Sequence, residues 1–174
     1  MKFAPDIRKT RVDSPLGAII LAATDQGLAG LWFDDQKHRP AWQDWPDQDD
    51  DQTLLQASTE LQQYFDGARS AFELPLDLRG GTPFQQSVWQ ALLHIPHGVC
   101  TTYGTLADAL DKPLAVRAVG TAVGRNPLGI IVPCHRVLGA DGSLTGYAGG
   151  LGRKAALLTL ESGAHRAGQT ARTA

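Results

Sequence analysis

The chain has 174 residues, 43% hydrophobic and 20% charged, a globular balance that can bury a core in one large domain or two small ones. No apolar run approaches the ~18 residues a membrane span needs, and the stretch from Met1 to Asp6 lacks a signal peptide's apolar segment, so a cytoplasmic protein without membrane contacts is expected. The net charge of −2 hides an asymmetry, since residues 1–79 carry 8 Lys+Arg against 14 Asp+Glu and residues 80–174 carry 8 against 4, which gives the second half a weak bias toward a polyanion.

The first third reads as a small antiparallel sheet. Residues 8–13 and 18–24 form two strands around the turn Ser14-Pro15-Leu16-Gly17. The tight-turn signal Asp25-Gln26-Gly27 leads into a third strand at 28–33. An acidic, Trp-containing loop covers 34–51 and reads as solvated surface. A helix follows over 53–65, with Leu54, Ser58, Leu61 and Phe65 on one face, and Asp66-Gly67 ends it. Residues 72–78 read as extended. Arg79-Gly80-Gly81 marks a linker, which places an α/β domain at 1–80 and a mainly helical one at 81–174.

In the second half, Thr82-Pro83-Phe84-Gln85 is a helix start, with Thr as N-cap, Pro in the first turn and Gln three residues after the cap. Phe84, Val88, Ala91, Leu92 and Ile95 then share an apolar face, and Pro96-His97-Gly98 stops the helix. A short helix at 105–110, a turn at Asp111-Lys112-Pro113 and a second helix at 114–125 have the form of a helix-turn-helix. The second of these helices is thin. Ala115, Ala118, Gly120, Ala122 and Gly124 leave little bulk, which fits either packing against another helix or a helix lying in a narrow groove with Arg117 projecting.

Two cysteines, Cys100 and Cys134, suggest free thiols rather than a disulfide. The spacing of His94, His97 and Cys100 is ligand-like, but it surrounds a turn and lacks a fourth partner, so no metal is expected. The informative run is Asn126-Pro127 through Val132-Pro133-Cys134-His135-Arg136-Val137. Ile130, Ile131 and Val132 should be buried. His135 and Arg136 should make a cationic neighbourhood that favours thiolate at Cys134. A Gly-rich loop at 139–152 is either a plain connector or the wall of a pocket for a flat ring, with Tyr147 as one face. The last helix reads as 153–161. Glu161 is there either as a surface acid or as the group that orients His135.

These residues resemble the O6-alkylguanine-DNA alkyltransferase family, in its bacterial Ogt-type form. The resemblance rests on the run from Asn126 to Val137, on Gly146-Tyr147-Ala148-Gly149-Gly150-Leu151, Glu161, Arg117-Ala118-Val119-Gly120 and Tyr103, and on Phe84 through Trp89. It is strong over about residues 72–165 and loose in the N-terminal sheet. It implies an α+β fold, with a ribonuclease H-like N-terminal domain followed by the helix-turn-helix domain. It also implies an irreversible, single-turnover transfer of the alkyl group from O6-alkylguanine, with O4-alkylthymine as a second option, to a cysteine.

By that resemblance Cys134 accepts the alkyl group, His135 deprotonates it through a water, Glu161 polarises His135, and Asn126 holds the turn. Tyr103 protonates the departing guanine and Arg117 fills the space of the flipped base. Ala118, Arg125 and Arg136 face DNA, while Tyr147, Ala148 and Gly149 line the base pocket. The partner implied is double-stranded DNA carrying the lesion, met by a monomer, with cooperative binding on DNA an open option. No cofactor is implied. Ala148 stands where many relatives carry Ser, which removes a hydroxyl from the pocket. The first 37 residues hold no Cys or His, so the structural zinc site of some relatives is not expected. Two rivals remain. A Cys-His hydrolase would need Cys134 and His135 to pair across a bend of their strand. A DNA-binding module without chemistry would have no use for the thiol.

Overall fold

The structure is a computed structural model that describes residues 3–170, with side chains described as far as Gly163. Met1, Lys2 and residues 171–174, which the N-terminal and domain readings include, lie outside the described residues. The architecture is α+β. Strands β1 (Arg8–Val12), β2 (Ile19–Thr24) and β3 (Gly27–Phe33) form an antiparallel meander, with Thr10 opposite Leu21 and Leu21 opposite Leu31. Every residue of β2 and β3 is buried, so this sheet is covered on both faces instead of alternating toward solvent.

Both sheet edges are occupied. Lys9 on β1 bridges to Asp47 of the acidic loop, while β3 bridges to Leu76 through Leu28 and to Leu128 through Leu31. The expected extended segment at 72–78 is thus a short rider on β3, held by Leu28 N–H to Pro75 O and Asp77 N–H to Leu28 O, both 2.8 Å. Capping the edges in this way removes the unpaired backbone row through which sheets aggregate.

Helix α1 (Gln52–Phe65) is capped by Asp51, whose side chain accepts from Leu54 N–H. Its buried face is Leu54, Ala57, Glu60, Leu61 and Tyr64. That face is rotated from the expected one: Ser58 and Phe65 are half-buried, and Tyr64 takes the inward position. Helix α2 (Pro83–Leu93) begins with the capping box read from sequence, Thr82 accepting from Gln85 N–H while the Gln85 side chain accepts from Thr82 N–H. Its core side includes Trp89, whose Nε1–H donates to Ala122 O at 2.8 Å and ties α2 to the helix-turn-helix.

That motif is α3 (Tyr103–Ala109), a 3-10 turn at Pro113–Ala115, and α4 (Val116–Gly124). The second helix therefore starts two residues later than expected, and Arg125 is its C-cap. The Cys134 region corrects a further expectation. It is not a strand but a chain of turns ending in a 3-10 turn, Cys134–Arg136. Two two-residue strands, β4 (Thr101–Thr102) and β5 (Val137–Leu138), pair in parallel directly after it. Helix α5 (Leu151–Thr170) closes the fold. One core runs through both halves, joining Leu31 and Phe33 of the sheet and Tyr64 of α1 to Trp89, Leu128, Cys134 and Leu157.

Candidate active site

Cys134 sits at the end of a strained turn. Ile130 has φ 71°, a left-handed conformation that disfavours β-branched residues and costs on the order of 1–3 kcal/mol. Neighbouring bonds over-determine the turn. Asn126 Nδ2 donates to Val132 O at 2.8 Å, Leu128 N–H donates to Asn126 Oδ1 at 3.0 Å, and Val132 N–H donates to Leu128 O at 2.8 Å. Ile130, Ile131 and Val132 are buried, as expected.

Behind the cysteine lies a buried charge cluster centred on Glu161 of α5. Its Oε1 accepts from His135 Nε2 at 2.9 Å, Arg136 Nη2 at 2.8 Å and Tyr64 OH at 2.8 Å. Its Oε2 accepts from Arg136 Nε at 2.9 Å and Gly98 N–H at 3.0 Å. Five donors on one carboxylate outweigh its burial and hold Glu161 far below the usual carboxylate range. Glu161 is fully buried and bonded to His135, so it is not a surface acid. With Nε2 donating to a carboxylate, the neutral tautomer of His135 leaves Nδ1 as a lone pair, and that buried atom has no hydrogen-bond partner among the described residues. Burial also lowers the His135 pKa, favouring the neutral ring.

Two sequence expectations are corrected here. Arg136 does not face DNA. It is buried, with Nη1 donating to Ile95 O and its other nitrogens on Glu161. Nor does a cationic neighbourhood keep Cys134 ionised. Burial pushes its thiol up, and the Asn126 amide, Lys154 and two backbone N–H groups only partly counter that. The physical reason is that the Arg136 charge is spent on Glu161. The cation that does favour the thiolate is Lys154, buried on α5, with Nζ donating to Val137 O and Thr145 O at 2.6 Å each.

In front, Cys134 lines a narrow recess with Asn126, Gly129, Gly146, Tyr147, Ala148 and Gly149. Its free volume is about 10 Å³, room for roughly one water. It opens into a cleft of about 1060 Å³ that shares Gln36, Gly124, Asn126, Gly146, Tyr147 and Ala148 with it. The wall is tight: a Cβ on Gly149 would stand 2.8 Å from the Tyr147 ring and 3.0 Å from Phe33. Arg153 pins this wall to the sheet, donating to Gly149 O and Leu16 O, pairing with Asp35 and stacking over Phe33 at 4.2 Å.

Tyr103 is not in the recess, but its hydroxyl stands at the rim, 3.4 Å from Thr145 O and 3.2 Å from where a Gly146 Cβ would lie. Burial and the Cys134 charge push its pKa up, so it stays protonated as a donor. Arg117, Ala118 and Thr121 form the exposed face of α4, while Val119, Ala122 and Val123 form the packed one. A Cβ on Gly120 would meet the Tyr103 ring at an ordinary contact distance of 3.7 Å, and one on Gly124 would face open space. Leu114, fully exposed at the start of this helix, extends the surface with an apolar tip.

Three contributors escaped the sequence reading: Tyr64, Lys154 and Gly98. Only the inward spacing of Tyr64 from Leu54, Ala57 and Leu61 hinted at the first. Its bond to a charged acceptor has a measurable weight. Tyr64→Phe is expected to cost about 1–2 kcal/mol in denaturant unfolding, the range for a hydrogen bond to a charged group less the donors that remain. An unchanged midpoint would show that the hydroxyl contributes nothing.

Comparison with known proteins agrees with this geometry. A family model described as 6-O-methylguanine DNA methyltransferase, DNA binding domain, matches residues 83–163. One described as 6-O-methylguanine DNA methyltransferase, ribonuclease-like domain, matches residues 7–78. A protein of Mycobacterium tuberculosis (strain ATCC 25618 / H37Rv) named methylated-DNA–protein-cysteine methyltransferase is 49% identical over 150 residues, covering 86% of this chain and 89% of its own. The constitutive protein of that name from Bacillus subtilis (strain 168) is 43% identical over 159 residues, covering 87% and 93%. The crystal structure of Mycobacterium tuberculosis OGT in complex with DNA superposes with a TM-score of 0.80 at 47% identity, covering 91% of this chain and 93% of that one.

Proposed function

The chain belongs to the 6-O-methylguanine DNA methyltransferase family, and from that premise we propose how its residues carry out the reaction. It is a DNA-repair methylated-DNA–protein-cysteine methyltransferase, and DNA is its partner. We assign Cys134 as the acceptor and O6-alkylguanine in duplex DNA as the substrate, bound by a cytoplasmic monomer whose domains divide at residues 80/81. The observation that carries the assignment is the buried His135–Glu161 hydrogen bond through Nε2, directly after the recess-lining Cys134 in the chain, with His135 Nδ1 unpartnered among the described residues.

The base must leave the stack to reach the thiol, which costs a few kcal/mol and less at a weakened pair. Arg117 on the exposed face of α4 fills the gap it leaves, with Ala118 letting the helix lie close and Arg125 on the backbone side. To admit a purine the recess has to widen, with Tyr147, Ala148 and Gly149 lining the widened pocket. Nδ1 of His135 takes the thiol proton through one bridging water. The thiolate attacks the alkyl carbon, the C–S bond forms and the C–O6 bond breaks. The electron pair passes to the guanine, and Tyr103 supplies its proton. This leaves His135 protonated and Tyr103 ionised, and proton exchange through solvent resets both, so the proton lost by the thiol balances the one gained by guanine. The product thioether offers no carbonyl for water to attack, so each chain acts once. Mixing the protein with excess duplex bearing O6-methylguanine should add one methyl, about 14 Da at the peptide holding Cys134, and then stop. Continued turnover, or methyl elsewhere, would sink the assignment.

The pH profile follows from two shifts. Burial holds His135 below its usual 6.5, so it remains a neutral base down to and beneath that pH. Burial holds the Cys134 thiol above 9.0, so direct ionisation adds nothing until pH exceeds that value. Single-turnover transfer is expected to vary by less than about threefold between pH 6.5 and 9. A rise of about tenfold per pH unit would mean that the thiol ionises unaided.

A further inference from the structure

The acidic N-terminal half presents its cations selectively. The cleft that leads to Cys134 is walled on one side by Gln36, Lys37, His38 and Arg79 and on the other by Thr121 and Arg125, and no carboxylate lines it. Residues 1–79 carry 14 acids against 8 Lys and Arg, so a cleft wall free of acids departs from the make-up of the half it belongs to. Two acids that neighbour the cleft's lining residues in sequence are engaged. Asp35 pairs with Arg153, and Asp77 is held by Arg79 through Nε and Nη2, leaving the Arg79 side chain 62% exposed. Helix α2 opens on the same cleft at Thr82 and Gln85, adding the positive end of its dipole.

We infer that the N-terminal half grips the sugar–phosphate backbone beside the extruded nucleotide, with Lys37 as its main phosphate contact and His38 and Arg79 flanking it. The inference rests on the alkyl-transfer reading above and adds to it a second wall of the DNA site. The cleft and the recess share six lining residues, so a base can reach the recess through it. Its attached phosphates cannot follow it into a space so narrow, and the cleft is where they remain. Two hydrogen bonds hold the Lys37 loop against this wall. Lys37 N–H donates to Ala148 O at 3.3 Å, and Phe33 N–H donates to the Gln36 side chain at 2.9 Å. Phosphate binding at Lys37 would therefore be felt directly at the wall of the base pocket.

Lys37 is exposed, and its structural bond is made by the backbone, so charge reversal should leave the fold intact, as a thermal melt would verify. For Lys37→Glu, the rate of methyl transfer from duplex DNA with one O6-methylguanine should fall about tenfold at low salt. The gap should narrow as salt rises, and the salt slope should drop by about one. The reaction with free O6-benzylguanine, which has no phosphate, should stay within about twofold of wild type. Equal DNA rates and salt slopes for variant and wild type overturn the inference. So does a parallel loss with the free base, which would mean that Lys37 shapes the recess. Wild-type protein that transfers nothing from either substrate sinks the alkyl-transfer reading instead, and this inference with it.

Discussion

Cys134→Ala should yield a folded protein that still binds lesion-bearing duplex yet gains no mass from it. The thiol contributes little to the fold. It is one small buried group at the rim of a recess, and its loss should cost about 1 kcal/mol or less. The turn that carries it is fixed by Asn126 and backbone bonds, none of which uses the sulfur as its anchor. Chemistry, by contrast, should vanish, because no other nucleophile is placed to replace it. Cys100 is exposed, lines neither the recess nor the cleft, and is pushed up in pKa by desolvation and by the charge of Glu161. Intact mass after incubation, together with anisotropy on labelled duplex, separates the two effects. Methyl found on Cys100 in the variant would mean that the recess is not where transfer occurs.

What the sequence disclosed and what it concealed follow from the range of the interactions. The capping box at Thr82 and Gln85 is local, and its sequence spells it out. The turn signals at Ser14–Gly17 and Asp25–Gly27 are local too, so the bounds of the three strands could be read to within a residue, whereas their register, with its shift between Ala22 and Ala23, could not. The run from Asn126 to Arg136 carried the site because the strained turn, the thiol and the imidazole are consecutive. Tyr64 could not be found in that way. It lies 97 residues from Glu161 and meets it only because α1 and α5 pack on the same core.

Arg136 departs from its sequence expectation for a related reason. Beside a nucleophile in a DNA-directed half, an arginine suggests a phosphate contact, yet the partner that turns it inward is 25 residues away. The expectation of a preformed thiolate fails on the same distant partner. Strands β4 and β5 are two residues each, too short for any periodic signal, and exist because the chain leaving Arg136 runs alongside the chain entering α3.

Glu161→Gln is expected to be the most damaging single change behind the recess. The carboxylate accepts five hydrogen bonds, and an amide would turn two donor protons toward groups that themselves donate. It would also strand Arg136, whose side chain is only 8% exposed, without its counter-charge. Breaking a buried pair by removing one member costs about 3–5 kcal/mol, and for a chain of this size each kcal/mol lowers Tm by about 2–4 °C. A drop of about 10 °C is the expected result.

The rate should suffer separately. Gln keeps one acceptor oxygen but loses the charge that holds Nε2 protonated, so the tautomer that leaves Nδ1 free is no longer enforced, and a loss of about 10²-fold or more in transfer is expected even where the variant is folded.

The same residue sets the acid limit of the wild type. A carboxylate whose folded pKa lies below its unfolded 4.5 contributes stability that is complete above that pH and is lost as pH falls through the folded value. His135, buried neutral with its pKa below 6.5, acts in the same direction, because the unfolded chain takes up its proton first. Wild-type stability should therefore decline as pH drops below 6.5 and more steeply below 4.5. In Glu161→Gln the lower phase should be shallower but still present, because Asp77, held down to about 2 by its bonds to Arg79, also contributes to it. Melting curves of both proteins between pH 7 and 3 that ran parallel would show that Glu161 is not the ionised hub of the cluster.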